Sequence, residues 1–440
     1  MESLLIENGT VVTLGEPTRV LPRHDVLCIG GVISRIAPHG LIAGAFDDTV
    51  DAHGAVVMPG FINVHTHLYS TLVRGLGKAK PADNFQQVLE RLWWRLDRQL
   101  RPEDVESSAL VALIEAVKHG ATTIFDHHAS PFALGGSLDV IADAVRRVGM
   151  RACLCYEVSD RDGAEVAQAG IAENAAFIAR LERERDPHLR ALFGLHAAFT
   201  LSDATLARAV EAAQGAGFHV HVAEAASDQE VNLARSGQRV VERLHGFGVL
   251  GPRTIAAHCV HVDDAEMELL AATDTAVAHN PQSNMNNAVG VADVPALRRK
   301  GVLVGLGTDA MTTNMLEELR AALFVRHLTE RNPSVGFGET VALLTQGNAA
   351  IANRHWEPKL GELREGWAAD IIIVDYDPPT PLDETTFSGH LVFGLSQSSV
   401  ATTIVGGKVL MRDRRLTLDL DEADVNAKAR ERAAALWERF

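Results

Sequence analysis

Two histidines one residue apart, His65 and His67, close the apolar run Val57-Met58-Pro59-Gly60-Phe61-Ile62-Asn63-Val64. On a strand, side chains at i and i+2 point to the same face. The pair therefore aims two imidazoles at one point, at the strand's C-terminal end. Converging neutral imidazoles suit a divalent transition metal. A lone His-x-His is more often two surface histidines in a loop. Here other apolar runs also end in titratable groups: Asp126-His127-His128, Glu157, His196, His221 with Glu224, His258, His279 and Asp309. A structural core has no use for so many such groups at equivalent places.

These residues need elements to position them. Eight apolar runs alternate with helical patterns: Phe61–His65, Thr122–Asp126, Arg151–Tyr156, Ala191–His196, Phe218–Val222, Thr254–His258, Ala276–His279 and Val302–Gly307. Asp263-Asp264-Ala265-Glu266 is a capping-box pattern, and Ser202 precedes a periodic segment. Strand–helix alternation repeated in this way predicts an α/β chain built on a (β/α)8 TIM barrel, expected over residues 58–357. Active sites of such barrels lie at the C-terminal strand ends, where the polar residues cluster.

Residues 1–57 and 358–420 read as short strands and turns, each piece too small to bury a core. They predict one composite β-sandwich domain made from both ends of the chain. Asn8-Gly9, Gly30-Gly31 and Gly406-Gly407 read as hairpin turns. Residues 421–440 read as a helix.

Formal charge is −16, with 41 Lys and Arg against 57 Asp and Glu. That excludes nucleic acid and anionic membrane as expected partners, since both want basic patches. Four cysteines (Cys28, Cys153, Cys155, Cys259) are too few for a disulfide framework, and the C-x-C spacing is neither redox nor zinc-finger. They read as core residues of a cytoplasmic protein. The start shows no basic n-region, and no run of 18 apolar residues is present. Neither a Walker loop nor Gly-x-Gly-x-x-Gly after a strand is found, so no nucleotide cofactor is implied.

The chain resembles the amidohydrolase superfamily over nearly its whole length, within the cytosine/guanine-deaminase and chlorohydrolase branch. Pro59 to His67, His221-Val222-Ala223-Glu224, Ala257-His258, Gly305-Leu306-Gly307-Thr308-Asp309 and Gly361 to Asp370 are the motifs that carry the resemblance. Trp93-Trp94, Asp126-His127-His128-Ala129-Ser130-Pro131, Gly135-Gly136-Ser137-Leu138 and Ser283-Asn284-Met285-Asn286-Asn287 are similar to the SsnA-like aminohydrolases. The resemblance implies His65, His67, His221 and Asp309 as ligands of one divalent ion, zinc first and iron as the alternative. Such an ion lowers the pKa of bound water from 15.7 to about 7. The resemblance also implies Glu224 as proton shuttle, His258 as a contact of the metal-bound hydroxide, and His196 as a substrate contact. Many relatives have Pro where this chain has Ala198. His219 competes with His221 by parity and reads as a packed histidine. Strands 3 and 4 hold no lysine, so the lysine-bridged two-metal arrangement is not expected.

Tyr69, Arg74, Trp93, Trp94, His127, His128, Asn286 and Asn287 are candidates for a pocket wall, with Tyr69, Trp94 and His128 joining His196 as expected substrate contacts. Trp93-Trp94 either stack on a flat ring or bury their indoles in an amphipathic helix. Arg74 and Arg95 either grip substrate or pair with surface acids. The expected partner is a small heterocyclic substrate, and a homo-oligomer is expected. The leading reading is hydrolytic deamination of an aminated purine, pterin, pyrimidine or triazine by metal-bound hydroxide. Displacement of another leaving group, as in a chlorohydrolase, is the alternative. A non-catalytic barrel scaffold is the third reading, and it predicts loss of residues such as Glu224 and His258, which are present.

Overall fold

The computed structural model describes residues 2–440. Eight parallel strands follow the expected runs: β1 (Phe61–Thr66), β2 (Ala121–His128), β3 (Arg151–Tyr156), β4 (Phe193–Ala197), β5 (Phe218–Val222), β6 (Ile255–His258), β7 (Ala276–His279) and β8 (Val304–Leu306). A three-residue strand, Leu189–Ala191, pairs with β3 ahead of β4. Parallel bridges Val158–Leu195 and Thr66–Asp309 join β3 to β4 and β1 to β8, and these close the barrel. Helices between the strands start as their sequences direct. Asp263 and Glu266 form the reciprocal cap of Asp264–Ala272, and Ser202 Oγ accepts from Thr205 N at the start of Asp203–Ala213.

Alternation along the strands sorts the side chains. Phe125, Cys153, Cys155, Ile255, Ala257, Ala276 and Ala278 fill one buried cluster. Their outward neighbours Val220, Val222, Ala256 and Val277 join the larger core under the helices. All four cysteines are buried and free. β1 meets β2 with a register shift between Asn63 and Thr66. Such a bulge re-aims side chains locally. β8 approaches β1 closely. A Cβ on Gly307 would lie 2.6 Å from His65 Cβ, so only glycine fits where Thr308 N and Asp309 N both donate to His65 O.

Nine strands from both ends of the chain form one curled sheet: Ser3–Val12, Val20–Ile29, Val32–Pro38, Asp48–Asp51, Val56–Pro59, Ile371–Asp375, Ser399–Val405, Lys408–Arg412 and Arg415–Leu416. The Gly30-Gly31 and Gly406-Gly407 turns form as expected and meet, with Gly31 Cβ space ending 3.1 Å from Gly406 O. Asn8-Gly9 is a correction. Ser3–Val12 runs straight through it. Asn8 takes a left-handed φ of 54° and produces register shifts against Val20–Ile29 in place of a hairpin. Asp25, buried on that partner strand, accepts from Asn8 N at 2.8 Å and holds the bulge. The sheet is tied to the barrel by Arg151 of β3, which grips Asp370 at 2.7 and 3.1 Å. The last helix is Glu422–Arg439, capped by Asp421. Among the described residues no helix is long and apolar enough to cross a membrane.

Candidate metal centre

His65 is the last residue but one of β1, His67 lies just past it, His221 sits near the end of β5 and Asp309 lies just past β8. Their ligand atoms converge. His67 Nε2 is 3.0 Å from Asp309 Oδ1 and 3.3 Å from His221 Nε2, and His65 Nε2 is 3.6 Å from Asp309 Oδ1. Tetrahedral ligands about 2.0–2.1 Å from a zinc ion stand about 3.3 Å apart. His65 Nε2 is buried without a hydrogen-bond partner. An orphaned ring nitrogen among three other donors at these spacings fits a divalent cation.

The far sides of the rings are held. His65 Nδ1 pairs with His219 Nε2 at 2.9 Å, His67 Nδ1 donates to His127 O at 2.5 Å, and His221 Nδ1 donates to His196 O at 2.8 Å. Bonds of this kind fix which nitrogen faces a metal. Burial lowers the pKa of His65 and His221, which favours the neutral, ligating form. Burial also opposes charge on His67, but Asp309, with Glu157 and Asp126 beyond it, raises its pKa to about 9. Burial likewise opposes charge on Asp309, yet His65 and His67 hold its pKa well below the usual carboxylate range.

Glu224 and His258 stand beside this cluster. His258 Nε2 is 3.5 Å from Glu224 Oε2 and 3.9 Å from Asp309 Oδ2. Burial, then the Asp309 and Asp228 carboxylates, push the Glu224 pKa well up. Burial pushes His258 down to about 3. Asp228 shapes the turn by accepting from Glu224 N at 2.9 Å. Left-handed backbone recurs here without glycine, at Ala223 (φ 45°), His258 (φ 74°) and Asp309 (φ 54°). Such residues cost roughly 1–3 kcal/mol each and gather at functional sites.

A cavity opens over the cluster, walled by Tyr69, Phe85, Leu89, Trp93, Trp94, Arg161, Phe199 and Met311, with His196, Glu157, His221, Glu224 and Asp309 at its base. Tyr69, Trp94 and His196 therefore line it as expected. His128 does not. It is fully buried, its Nε2 paired with Ser130 Oγ at 2.8 Å, and it packs against the Tyr69 ring. Its neighbour His127 points the other way and stacks on His219 with ring centres 4.6 Å apart. Arg74 pairs with Glu115, and Arg95 stacks on Phe440, so neither reaches the cavity.

Sequence reasoning missed several groups. His219, read as packing, bonds to His65. Glu157 lies 3.3 Å from His67 Nδ1 and 3.5 Å from His127 Nδ1, and burial raises its pKa to about 7. Arg161 joins Asp97, is half of a buried ion pair, and faces the Trp94 ring at 5.5 Å. Glu157 had a visible signal in its place at the end of β3; Arg161 had none.

A model of the amidohydrolase family matches residues 56–410. The chain belongs to the amidohydrolase family. A 5-methylthioadenosine/S-adenosylhomocysteine deaminase from Pelotomaculum thermopropionicum is 33% identical over 448 residues, covering 100% of both chains. A 5'-deoxyadenosine deaminase from Methanosarcina mazei is 33% identical over 447 residues, covering 100% of this chain and 99% of the other. Among solved structures, an adenosine deaminase from Xanthomonas campestris with bound zinc superposes with a TM-score of 0.87 at 26% identity, covering 98% of each chain. The fold is thus shared with the Xanthomonas structure over nearly the full length of both chains.

Proposed function

We propose that this amidohydrolase is a metal-dependent deaminase that replaces the amino group of an N-heterocycle by oxygen and releases ammonia, with adenosine-type purines the first substrates to try. The observation that carries this reading is the Glu224–His258 pair standing beside the His65, His67, His221 and Asp309 cluster, with Glu224, His221 and Asp309 lining the cavity. The adenosine-type relatives support the purine ring.

His65, His67, His221 and Asp309 would hold the ion, zinc by the donor set and by the zinc in the Xanthomonas structure, with iron(II) as the alternative. When bound, the ion would supply hydroxide at neutral pH by acidifying water. The Glu224 carboxylate takes one proton from the attacking water and delivers it to the ring nitrogen as the C–O bond forms, then takes the remaining proton of that oxygen and delivers it to the amino group, which leaves as ammonia as the C–N bond breaks. His258 Nε2, facing the same region, orients the attacking oxygen. Trp93, Trp94 and Phe199 exclude water and pack on a planar ring.

Ammonia release from a panel of adenosine-type, other purine, pterin, pyrimidine and triazine amines tests the reading. Release from an aminated ring, lost in Glu224→Gln, is the expected result. Chloride release from a chlorinated ring without any deamination would overturn it.

A further inference from the structure

The short helix Pro281–Asn286 follows β7. Its side chains, with Asn287 just after it, reach three different groups of the site. Ser283 Oγ donates to Asp309 Oδ2 at 2.5 Å. Asn284 Nδ2 reaches His258 Nδ1 at 2.9 Å. Asn287 Nδ2 donates to Glu224 Oε1 at 3.2 Å and to Ser283 Oγ at 3.3 Å. Ser283 and Asn284 are buried. The helix is anchored from behind, where Gln282 N donates to Glu318 Oε1 at 3.0 Å and Glu318 is fully buried.

We propose that Ser283, Asn284 and Asn287 are positioning residues that set Asp309, His258 and Glu224 as one unit, an inference that rests on the function proposed above. A ligand carboxylate, a histidine and a proton-transfer carboxylate come from three separate strand ends. Strand pairing brings β5 against β6 and β8 against β1, and proton transfer needs mutual placement to a fraction of an ångström. One turn bonded to all three adds that restraint.

The histidine bond carries a second consequence. Asn280 Nδ2 donates to Ala278 O and lies 3.4 Å from His258 Nδ1, which Asn284 Nδ2 also faces. An Nδ1 that accepts from amides leaves its ring proton on Nε2. That is the nitrogen nearest Glu224 and Asp309. The asparagines thus select the tautomer that donates into the site.

The test uses full-length protein. Cobalt(II) is titrated into metal-stripped parent, Ser283→Ala, Ser283→Thr, Asn284→Ala and Asn287→Ala, followed by its visible spectrum. The His258 ring nitrogens are read by 15N NMR, assigned with His258→Gln. Ser283→Ala should weaken cobalt binding about 10–100-fold, with a changed spectrum, and Ser283→Thr, which keeps the hydroxyl, should recover most of it. Asn284→Ala should bind cobalt within about threefold of the parent yet lose the dominant Nε2–H signal, and both Asn284→Ala and Asn287→Ala should lower kcat far more than they raise KM. A parental Nδ1–H tautomer, equal cobalt losses in Ser283→Ala and Ser283→Thr, or cobalt binding and tautomer unchanged in every variant would each overturn the proposal. A parent that deaminates no ring sinks the proposed function alone, because the cobalt and NMR arms need no substrate.

Discussion

His219 Nε2 lies 2.9 Å from His65 Nδ1, so a histidine inside β5 turns the first histidine of β1 toward the cavity. The two rings meet edge to face, with centres 4.9 Å apart, and both are buried. Losing this bond should cost metal affinity without unfolding the barrel. His219→Ala should retain the bound ion about 10–100-fold less tightly, the range typical of groups that orient a ligand. Competition with a chelator, read by elemental analysis, measures it. Affinity equal to the parent's would mean that His65 is set by its strand alone.

Purified protein should carry close to one divalent transition metal per chain. Ligand atoms of His65, His67 and His221 lie within 4.8 Å of one another, Asp309 Oδ1 is 3.0 Å from His67 and 3.6 Å from His65, and β3 and β4 supply no lysine to bridge a second ion. Asp309→Ala should lose the ion together with any turnover. Two ions per chain by elemental analysis would contradict the mononuclear assignment.

Glu224→Gln should keep metal at the parental level, since the Glu224 contacts run to Asn287 and His258. Glutamine preserves size but cannot shuttle a proton. Turnover of an aminated ring should fall by about 10²–10⁴. A metallated, folded variant within a few-fold of the parental kcat/KM would remove Glu224 from the mechanism.

His258→Ala should likewise keep its metal while losing most turnover. Its Nε2 stands 3.5 Å from Glu224 Oε2 and 3.9 Å from Asp309 Oδ2, and the proposed role sets it against the attacking oxygen and not the ion. If metal affinity falls as far as in His221→Ala, His258 is a ligand.

Glu318 makes stability depend on pH in a stated direction. Burial raises its pKa to about 8 against an ordinary 4.5. The folded protein therefore holds a proton here that the unfolded chain has already lost between about pH 4.5 and 8. Its contribution to stability is greatest below that window and is lost as pH rises through it, by at most about 1.4 kcal/mol per pH unit. Glu318→Gln cannot ionise and still offers an oxygen to Gln282 N. Denaturant titrations at pH 5, 7 and 9 should show the variant gaining stability relative to the parent as pH rises. A constant difference across that range would exclude the effect.

The barrel was legible because each strand combines an apolar run with a polar end, and that pattern survives any detail of packing. β3, β5 and β7 fall on the expected residues. Asn8-Gly9 was not legible. The pair signals a left-handed residue, but only the partner strand and the Asp25 carboxylate decide between a turn and a bulge. His127 and His128 show the same limit from another side. Adjacent residues on a strand face opposite ways, so at most one could enter the cavity, and alternation alone does not say which. His219 shares the parity of His221, which told of its inward side chain but not of the ring nitrogen it meets from β1. The apolar wall of Phe85, Leu89, Trp93 and Trp94 stands on the helical stretch 85–99, and its place over the cavity depends on how that stretch packs back on the barrel, which no local periodicity records.

The curled sheet has a consequence for the order in which this molecule can be completed. Val56–Pro59 runs through Gly60 directly into β1, and it is paired on one side by Ile371–Asp375. That partner is made some 300 residues later, a separation at which loop closure costs only slightly more than at half the distance. The strand that leads into β1 is therefore left with an unpaired flank throughout synthesis of the barrel. The second half of the sheet acts as a late clasp, and slow or failed clasping would be felt first at the metal ligands of β1.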